Sequence, residues 1–269
     1  MNTNRRAWLL LPPLAFAAIG FAQDPQFDAA SVKPADPGAR GARCTGGPGT
    51  TDPGLLTCEN YSLSLLVMMA YDLRGFQFHP AGWMESARYN VNAKIPPGTD
   101  RARFDLMLQR LLAERWGLRA HFEKNDAMVY ELTTAKSGAK LKESADASAA
   151  PKAEAMWRPP ASGPPVRTSA RVARKGDAMS DLANFLSNQL GQLVTDATGL
   201  GGRYDYELTF VMEPGGRAAG PDATGGAGPE FGVSLIDAVR DQLGLRLEKK
   251  KGQVETLVID HIERAPTQN

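Results

Sequence analysis

Histidine and cysteine are scarce in this chain: three histidines and two cysteines among 269 residues. His79, His121 and His261 are spread far apart, and none stands at metal-ligand spacing from another, so the sequence offers no metal site. Charge of one sign is missing as well. The formal net charge is +1, which gives no long-range field to steer the chain toward nucleic acid or an anionic membrane. After residue 19 no apolar run approaches the roughly 20 residues that span a bilayer. Familiar catalytic signatures are absent too: there is no Gly-x-Ser-x-Gly elbow, no Ser-x-x-Lys accompanied by its partner motifs, and no phosphate-binding P-loop. The glycines of Thr198-Gly199-Leu200-Gly201-Gly202 miss the dinucleotide pattern and precede a strand rather than a helix, so they read as turn glycines. No cofactor is expected.

What is present begins with an address. Arg5 and Arg6 form a positive start, Ala7 to Ile19 is uncharged and apolar, and Gly20-Phe21-Ala22 sets small residues at −3 and −1 of a cleavage site. Residues 1–22 therefore read as a secretory signal peptide, with an uncleaved anchor as the competing reading. The expected destination is the periplasm or the exterior, with no transmembrane segment after cleavage. Cys44 and Cys58 both fall in the exported part, where thiols oxidise. A disulfide that closes the loop between them is the expectation. A catalytic thiol or metal ligand competes poorly, because no histidine lies near.

Along the chain, Gln26 to Pro34 alternates and ends in proline, as a short edge strand does, and Ala35 to Gly54 reads as a Gly/Pro-rich loop. Leu63, Leu66, Val67 and Ala70 mark a helix, with Asn60 or Ser62 as its cap. Tyr89 to Ile95 alternates as a strand. Phe104, Met107, Leu108, Leu111 and Leu112 mark a buried helix closed by Gly117. Leu118 to Lys124 and Met128 to Ala135 flank the turn-prone pair Asn125-Asp126 and read as a hairpin. Ser137 to Ala170 is rich in Ala, Pro, Ser and Lys and reads as a linker. Beyond it come a short strand at Arg171-Val172-Ala173, a helix marked by Met179, Leu182, Ala183, Leu186 and Leu190, and a strand over Tyr204 to Phe210. A Gly/Ala/Pro loop over Gly215 to Gly232, a helix closed by Gly244, and a second hairpin around Gly252 complete the chain.

The two parts correspond. Arg88-Tyr89-Asn90-Val91 matches Arg203-Tyr204-Asp205-Tyr206, and Gly117-Leu118-Arg119 matches Gly244-Leu245-Arg246. The expected organisation is a signal peptide over 1–22, an α+β repeat over 23–136, a linker over 137–170, a second repeat over 171–264 and a tail over 265–269. The expected fold class is α+β. It consists of two similar strand-helix-strand-helix-strand-strand halves, with helices packed on mixed sheets.

Chemistry is harder to locate. The carboxylates are scattered and read as solvated helix faces. Phe76, Phe78, Trp83 and Tyr89 cluster in and beside a loop of few charges, between the first helix and the next strand. That makes them candidate binding residues, although Trp83 more often anchors such a loop to a core. A hydrolase built from scattered polar residues such as Asp72, His79, Glu85 and Asp196 is a competing reading, and a structural envelope protein is another.

Four segments carry a family resemblance: Phe27 to Pro34, Arg88 to Lys94, Met107 to Arg115, and Leu257 to Glu263. Together they resemble a large uncharacterised family of exported soil-bacterial proteins, some of which look fused to BlaR-type membrane metallopeptidases. The resemblance covers nearly the whole mature chain and implies an extracytoplasmic, sensor-like module without assigned catalytic residues. This chain lacks the metallopeptidase part and its His-Glu-x-x-His motif. A shorter likeness links Val233 to Ile259 with the periplasmic domain of secretins and TonB-dependent receptors, which recognises partner proteins. The functional expectation is thus a non-enzymatic binding or sensing module, with an envelope protein or glycan as partner and no nucleic acid. The oligomeric state is not legible.

Overall fold

The computed structural model describes residues 25–145, 152–155, 168–212, 218 and 233–267. The expected signal peptide over 1–22, residues 146–151 and 156–167 of the expected linker, and nearly all of the expected loop at 215–232 lie outside them.

The chain starts with β1 (Ala29–Pro34), β2 (Arg43–Gly46) and β3 (Leu55–Ser62). The stretch read as a plain loop over 35–54 thus contains a strand. Ser62 ends β3 in extended backbone and caps α1 (Leu63–Ala70) by accepting from the Leu65 amide. A 3₁₀ turn at Gly75–Gln77 and the short α2 (Gly82–Ser86) lead to β4 (Arg88–Lys94). The Asp100 carboxylate then caps α3 (Arg101–Trp116), and Gly117 ends it at φ +59°, the left-handed C-cap expected there. The four strands form one antiparallel sheet in the order β1-β4-β3-β2. Its alternating residues Leu56, Cys58, Tyr89, Val91 and Ala93 pack against Leu63, Leu66, Val67, Phe104, Leu108 and Trp116 from the helices. Tyr89 and Trp116 meet edge to face at 5.0 Å.

Past Gly117 the chain runs on from the first lobe toward a second. β5 (Arg119–Thr134), the two-residue β6 (Lys142–Glu143) and β7 (Lys152–Ala155) precede β8 (Thr168–Ala178). After β8 come α4 (Met179–Leu190), β9 (Val194–Asp196) and β10 (Arg203–Met212), then α5 (Leu235–Leu243), which Gly244 closes at φ +64°, and β11 (Leu245–His261). The second sheet has the order β6-β10-β8-β7. Its core gathers Leu182, Leu186, Leu208, Phe210, Leu235, Val239 and Leu243. The class is α+β.

The two expected hairpins do not form. Asn125-Asp126 and Gly252 lie inside β5 and β11, two long strands that pair antiparallel over nearly their whole length, from Leu245 with Thr134 to His261 with Arg119. Asp126 and Gln253 face each other at the midpoint of this ribbon. A turn pair in sequence marks a point where an interior ladder has little hydrophobic need, as well as a place to reverse. Here the reversal is unnecessary because the partner strand arrives from the far end of the chain. The ribbon serves both cores: Leu257 from β11 is buried in the first, and Tyr130 and Leu132 from β5 are buried in the second. Each core is therefore completed by a strand from the other lobe. β9 adds in parallel to β5 at Tyr130–Leu132, and Phe78 makes a parallel bridge to Leu257 of β11. No helix among the described residues is long and apolar enough to cross a membrane.

Candidate functional site

Where the lobes approach each other over the middle of the ribbon they leave an open cleft of about 700 Å³. Three pieces of chain build it. The end of α1 and the 3₁₀ turn supply Leu73, Arg74, Phe76 and Gln77, α4 supplies Asn188, and β11 supplies the floor at Gln253–Glu255. The 3₁₀ turn is held in shape by the Gln77 side chain, whose Oε1 accepts from the Arg74 amide at 3.2 Å. From this fixed turn two groups reach across. Arg74 Nη2 donates to Asn184 Oδ1 at 2.7 Å, and Gln77 Nε2 donates to the Glu255 carbonyl at 3.2 Å. Asn184 and Asn188 are both exposed and stand one turn apart on α4, on the face opposite the buried Leu182 and Leu186.

The candidate residues from the sequence do not gather in one place. Phe76 is on the cleft wall. Phe78 is 3% exposed and belongs to the first core. Tyr89 is also buried there, and its hydroxyl donates to the Arg264 carbonyl at 3.2 Å. Trp83 is half-buried, with the Arg264 guanidinium 5.6 Å above its ring. The loop thus anchors itself with three aromatic residues and presents the fourth. Cys44 and Cys58 form the disulfide; they stand directly opposite each other on β2 and β3, with Cα atoms 4.0 Å apart.

The polar residues of the hydrolase reading stay apart. Asp72, His79, Glu85 and Asp196 are all exposed. Asp72 faces Arg101 at 3.8 Å and Asp196 receives the Thr198 hydroxyl at 2.8 Å. Among the described residues no three His, Cys, Asp or Glu side chains come together as a metal site would require.

Two other polar clusters escaped the sequence. Asp177 is 2% exposed, and Tyr206 donates its hydroxyl to Asp177 Oδ2 at 3.0 Å. Burial pushes the Asp177 carboxyl above its usual range and the Tyr206 phenol far above its own. On the outer face of the ribbon, both ring nitrogens of His121 meet carboxylates at 3.0 Å, Asp260 and Glu123. These hydrogen bonds raise the His121 pKa.

With this geometry in place, the chain can be set beside known proteins. The family described as "Protein of unknown function (DUF3738)" matches residues 64–262. The chain belongs to this family. The matched span runs from α1 to just past the end of the ribbon and leaves β1, β2 and β3 outside it. No curated protein and no solved structure matches the chain.

Proposed function

We propose that the protein is an exported, non-catalytic binding or sensing module of the cell envelope whose partner enters the cleft between the lobes. One observation carries this reading. The cleft offers recognition groups from both lobes, the half-buried Arg74 and Phe76 and the exposed Asn188 and Gln253, while of the four polar residues of the hydrolase reading Asp72 alone borders it, and its carboxylate faces Arg101. An open site with an aromatic wall and a few placed polar groups is the form that binding surfaces take. Export is favoured by the positive and apolar start of the sequence and by a disulfide, a bond typical of oxidising compartments. The likeness to BlaR-fused proteins and to the periplasmic domain of secretins points the same way.

The register of the ribbon also supports the lobes as two copies of one unit. Tyr130 is paired by Val194 and Leu257 by Phe78, and Tyr130 follows Gly117 at the same distance as Leu257 follows Gly244. A duplicated unit that exchanges its last strand would leave a cleft at the exchange point, where two nearly matching surfaces face each other.

The test uses the full chain produced through a secretory host. The immobilised protein is challenged with envelope extract beside a variant carrying Phe76→Ala and Asn188→Ala. Specific capture that the variant loses supports the cleft. Capture that the variant retains overturns it. Turnover of peptide, ester or glycan substrates by the purified protein, lost on Asp72→Asn or His79→Gln, overturns the non-catalytic reading.

A further inference from the structure

β11 is an edge strand. Its sheet has the order β11-β5-β9, so among the described residues only one of its two edges is laddered to another named strand. The far edge is engaged at two points. Leu257 is bridged by Phe78, and the Glu255 carbonyl accepts from Gln77. Backbone groups of alternate residues point to the same edge of an antiparallel strand. The outward set therefore comprises Lys249, Lys251 and Gln253 together with Glu255 and Leu257. The inward set includes Gly244, whose carbonyl accepts from the Ala135 amide just beyond the end of β5. Among the described residues no strand pairs with β11 from Lys249 to Gln253 on this outward edge.

The free edge lies in accessible space. Gln253 lines both the cleft and a second hollow of about 440 Å³, whose lining also includes Asp126, Met128 and Lys251. The two openings meet at that residue and together follow the edge from Glu255 back to Lys251. From Lys249 to Glu255 the edge is roughly 20 Å long at the usual rise per residue. The fold already adds extended chain in parallel at equivalent places on both long strands, β9 on β5 and Phe78 on β11. Charge selects among occupants. Lys249 and Lys251 share the strand face of Gln253 and Glu255, and Arg74 stands on the cleft wall. Lys250 is engaged on the opposite face by Glu131. Glu255 and Asp126 are the carboxylates on the same floor, Asp72 stands on the wall near Arg74 with Arg101 facing it, and the register sets Lys124 opposite Glu255. The cations outnumber them.

Resting on the cleft reading, we infer that the partner docks as an extended acidic peptide strand added to the outward edge of β11 between Lys249 and Glu255. Backbone bonds to alternate residues supply the affinity, and the lysines and Arg74 select acidic side chains. A second copy of β11 is a poor occupant, because antiparallel pairing of two such edges would oppose lysine with lysine.

The experiment measures fluorescence anisotropy of the full chain with four labelled octapeptides: alternating Glu and Val, alternating Lys and Val, and two forms of the acidic peptide N-methylated at every second amide in opposite phases. The acidic peptide binds and the basic one does not. One methylation phase abolishes binding and the other leaves it within about twofold, because only alternate amides face the ladder. Gln253→Pro removes an outward amide and leaves the β5 ladder intact, as proline is tolerated on an edge. It weakens binding about fivefold, the loss of one hydrogen bond, and its unchanged thermal melt shows that it folds. Lys249→Glu with Lys251→Glu reverses the preference between the two peptides. Equal binding in both methylation phases overturns strand addition. Binding of neither charge also overturns it and marks the lysines as guards of a bare edge. In that second outcome, glycan fragments or extract components that still bind in a Phe76-dependent manner leave the cleft reading standing, while loss of all binding removes both.

Discussion

Each lobe packs helices on a four-stranded sheet, and the two are secured by different chemistry. In the N-terminal lobe the edge strand β2 is tied to β3 by the Cys44–Cys58 bond, and the core is closed by Tyr89 against Trp116. Both lobes have a shift in register in a central strand pair, between Cys58 and Tyr61 in the first and between Tyr204 and Tyr206 in the C-terminal one. Beside the latter lies a buried carboxylate that takes the Tyr206 hydroxyl. The first lobe is secured by a crosslink and apolar contact, the second partly by a polar group whose burial has a cost. Neither lobe is self-sufficient, since each borrows a strand from the other.

That exchange gives the largest expected effect. Leu132 belongs by sequence to the first part of the chain, yet it is fully buried in the C-terminal core. Leu132→Ala removes the side chain and leaves a cavity, at a cost of about 3 kcal/mol. Hydrogen exchange of the variant shows protection lost around Leu182 to Leu186 and Leu208. Chemical denaturation of wild type and variant gives a single transition, because the ribbon couples the cores. Two separate transitions, or loss of protection confined to residues before 118, would break the picture of shared strands.

The crosslink comes next. Replacing Cys44 and Cys58 together by alanine releases a short loop and lowers stability by up to ~3 kcal/mol on the chain-entropy view. The loosening is local: amide exchange rises in β2 and at the start of β3, while β8 and β10 stay as they were. Equal loosening in both lobes would show that the bond stabilises through the ribbon rather than through its own edge.

Much of this arrangement was legible in the sequence. The apolar spacing of Leu63 to Ala70 and of Phe104 to Leu112, the caps at Ser62, Gly117 and Gly244, and the alternating strand at Tyr89 are local signals, and each is set by contacts a few residues away. The ribbon was not legible. Asn125-Asp126 and Gly252 carry the chemistry of turns, and only the arrival of a strand more than a hundred residues distant decides against reversal. The cleft was half legible. Phe76 was among four aromatic candidates, but nothing local separates it from Phe78, whose burial depends on Leu257 across the molecule. Arg74, Gln77 and Gln253 gave no signal, since a long polar side chain on a turn or a strand is ordinary until two lobes close over it. Asn184 and Asn188 offered the one available hint, two amides at helical spacing on a polar face.

A smaller effect separates the lobes by pH. Burial holds the Asp177 carboxyl above its ordinary value of 3.8, so its charge costs stability from that pH upward and acid relieves the cost. Asp177→Asn keeps an acceptor for Tyr206 and abolishes this slope, so the variant gains on the wild type as pH rises toward neutrality. Thermal melts of wild type and variant between pH 3 and pH 7 check it. Parallel curves would mean that Arg174, whose Nε lies 3.9 Å from the carboxylate, compensates the charge fully.

The smallest effect belongs to the ribbon. His121 lies on its outer face with Asp260 on one ring nitrogen and Glu123 on the other, an arrangement that suits the imidazolium because both nitrogens then donate. The side chain is half exposed, so water and salt screen the interaction and the effect on global stability is slight. The sign is nevertheless fixed. The folded pKa is raised above 6.5, so the added stability is complete below that pH and disappears as pH rises through the folded value. This window opens at 6.5 and that of Asp177 at 3.8, and the two variants tell the slopes apart. His121→Gln retains hydrogen bonding without the charge and removes only the upper slope. The observation that decides it is the imidazole proton shift followed by NMR across pH 5 to 9. A midpoint above 6.5 that falls on Asp260→Asn places the clamp on the ribbon, and a midpoint at or below 6.5 sinks it.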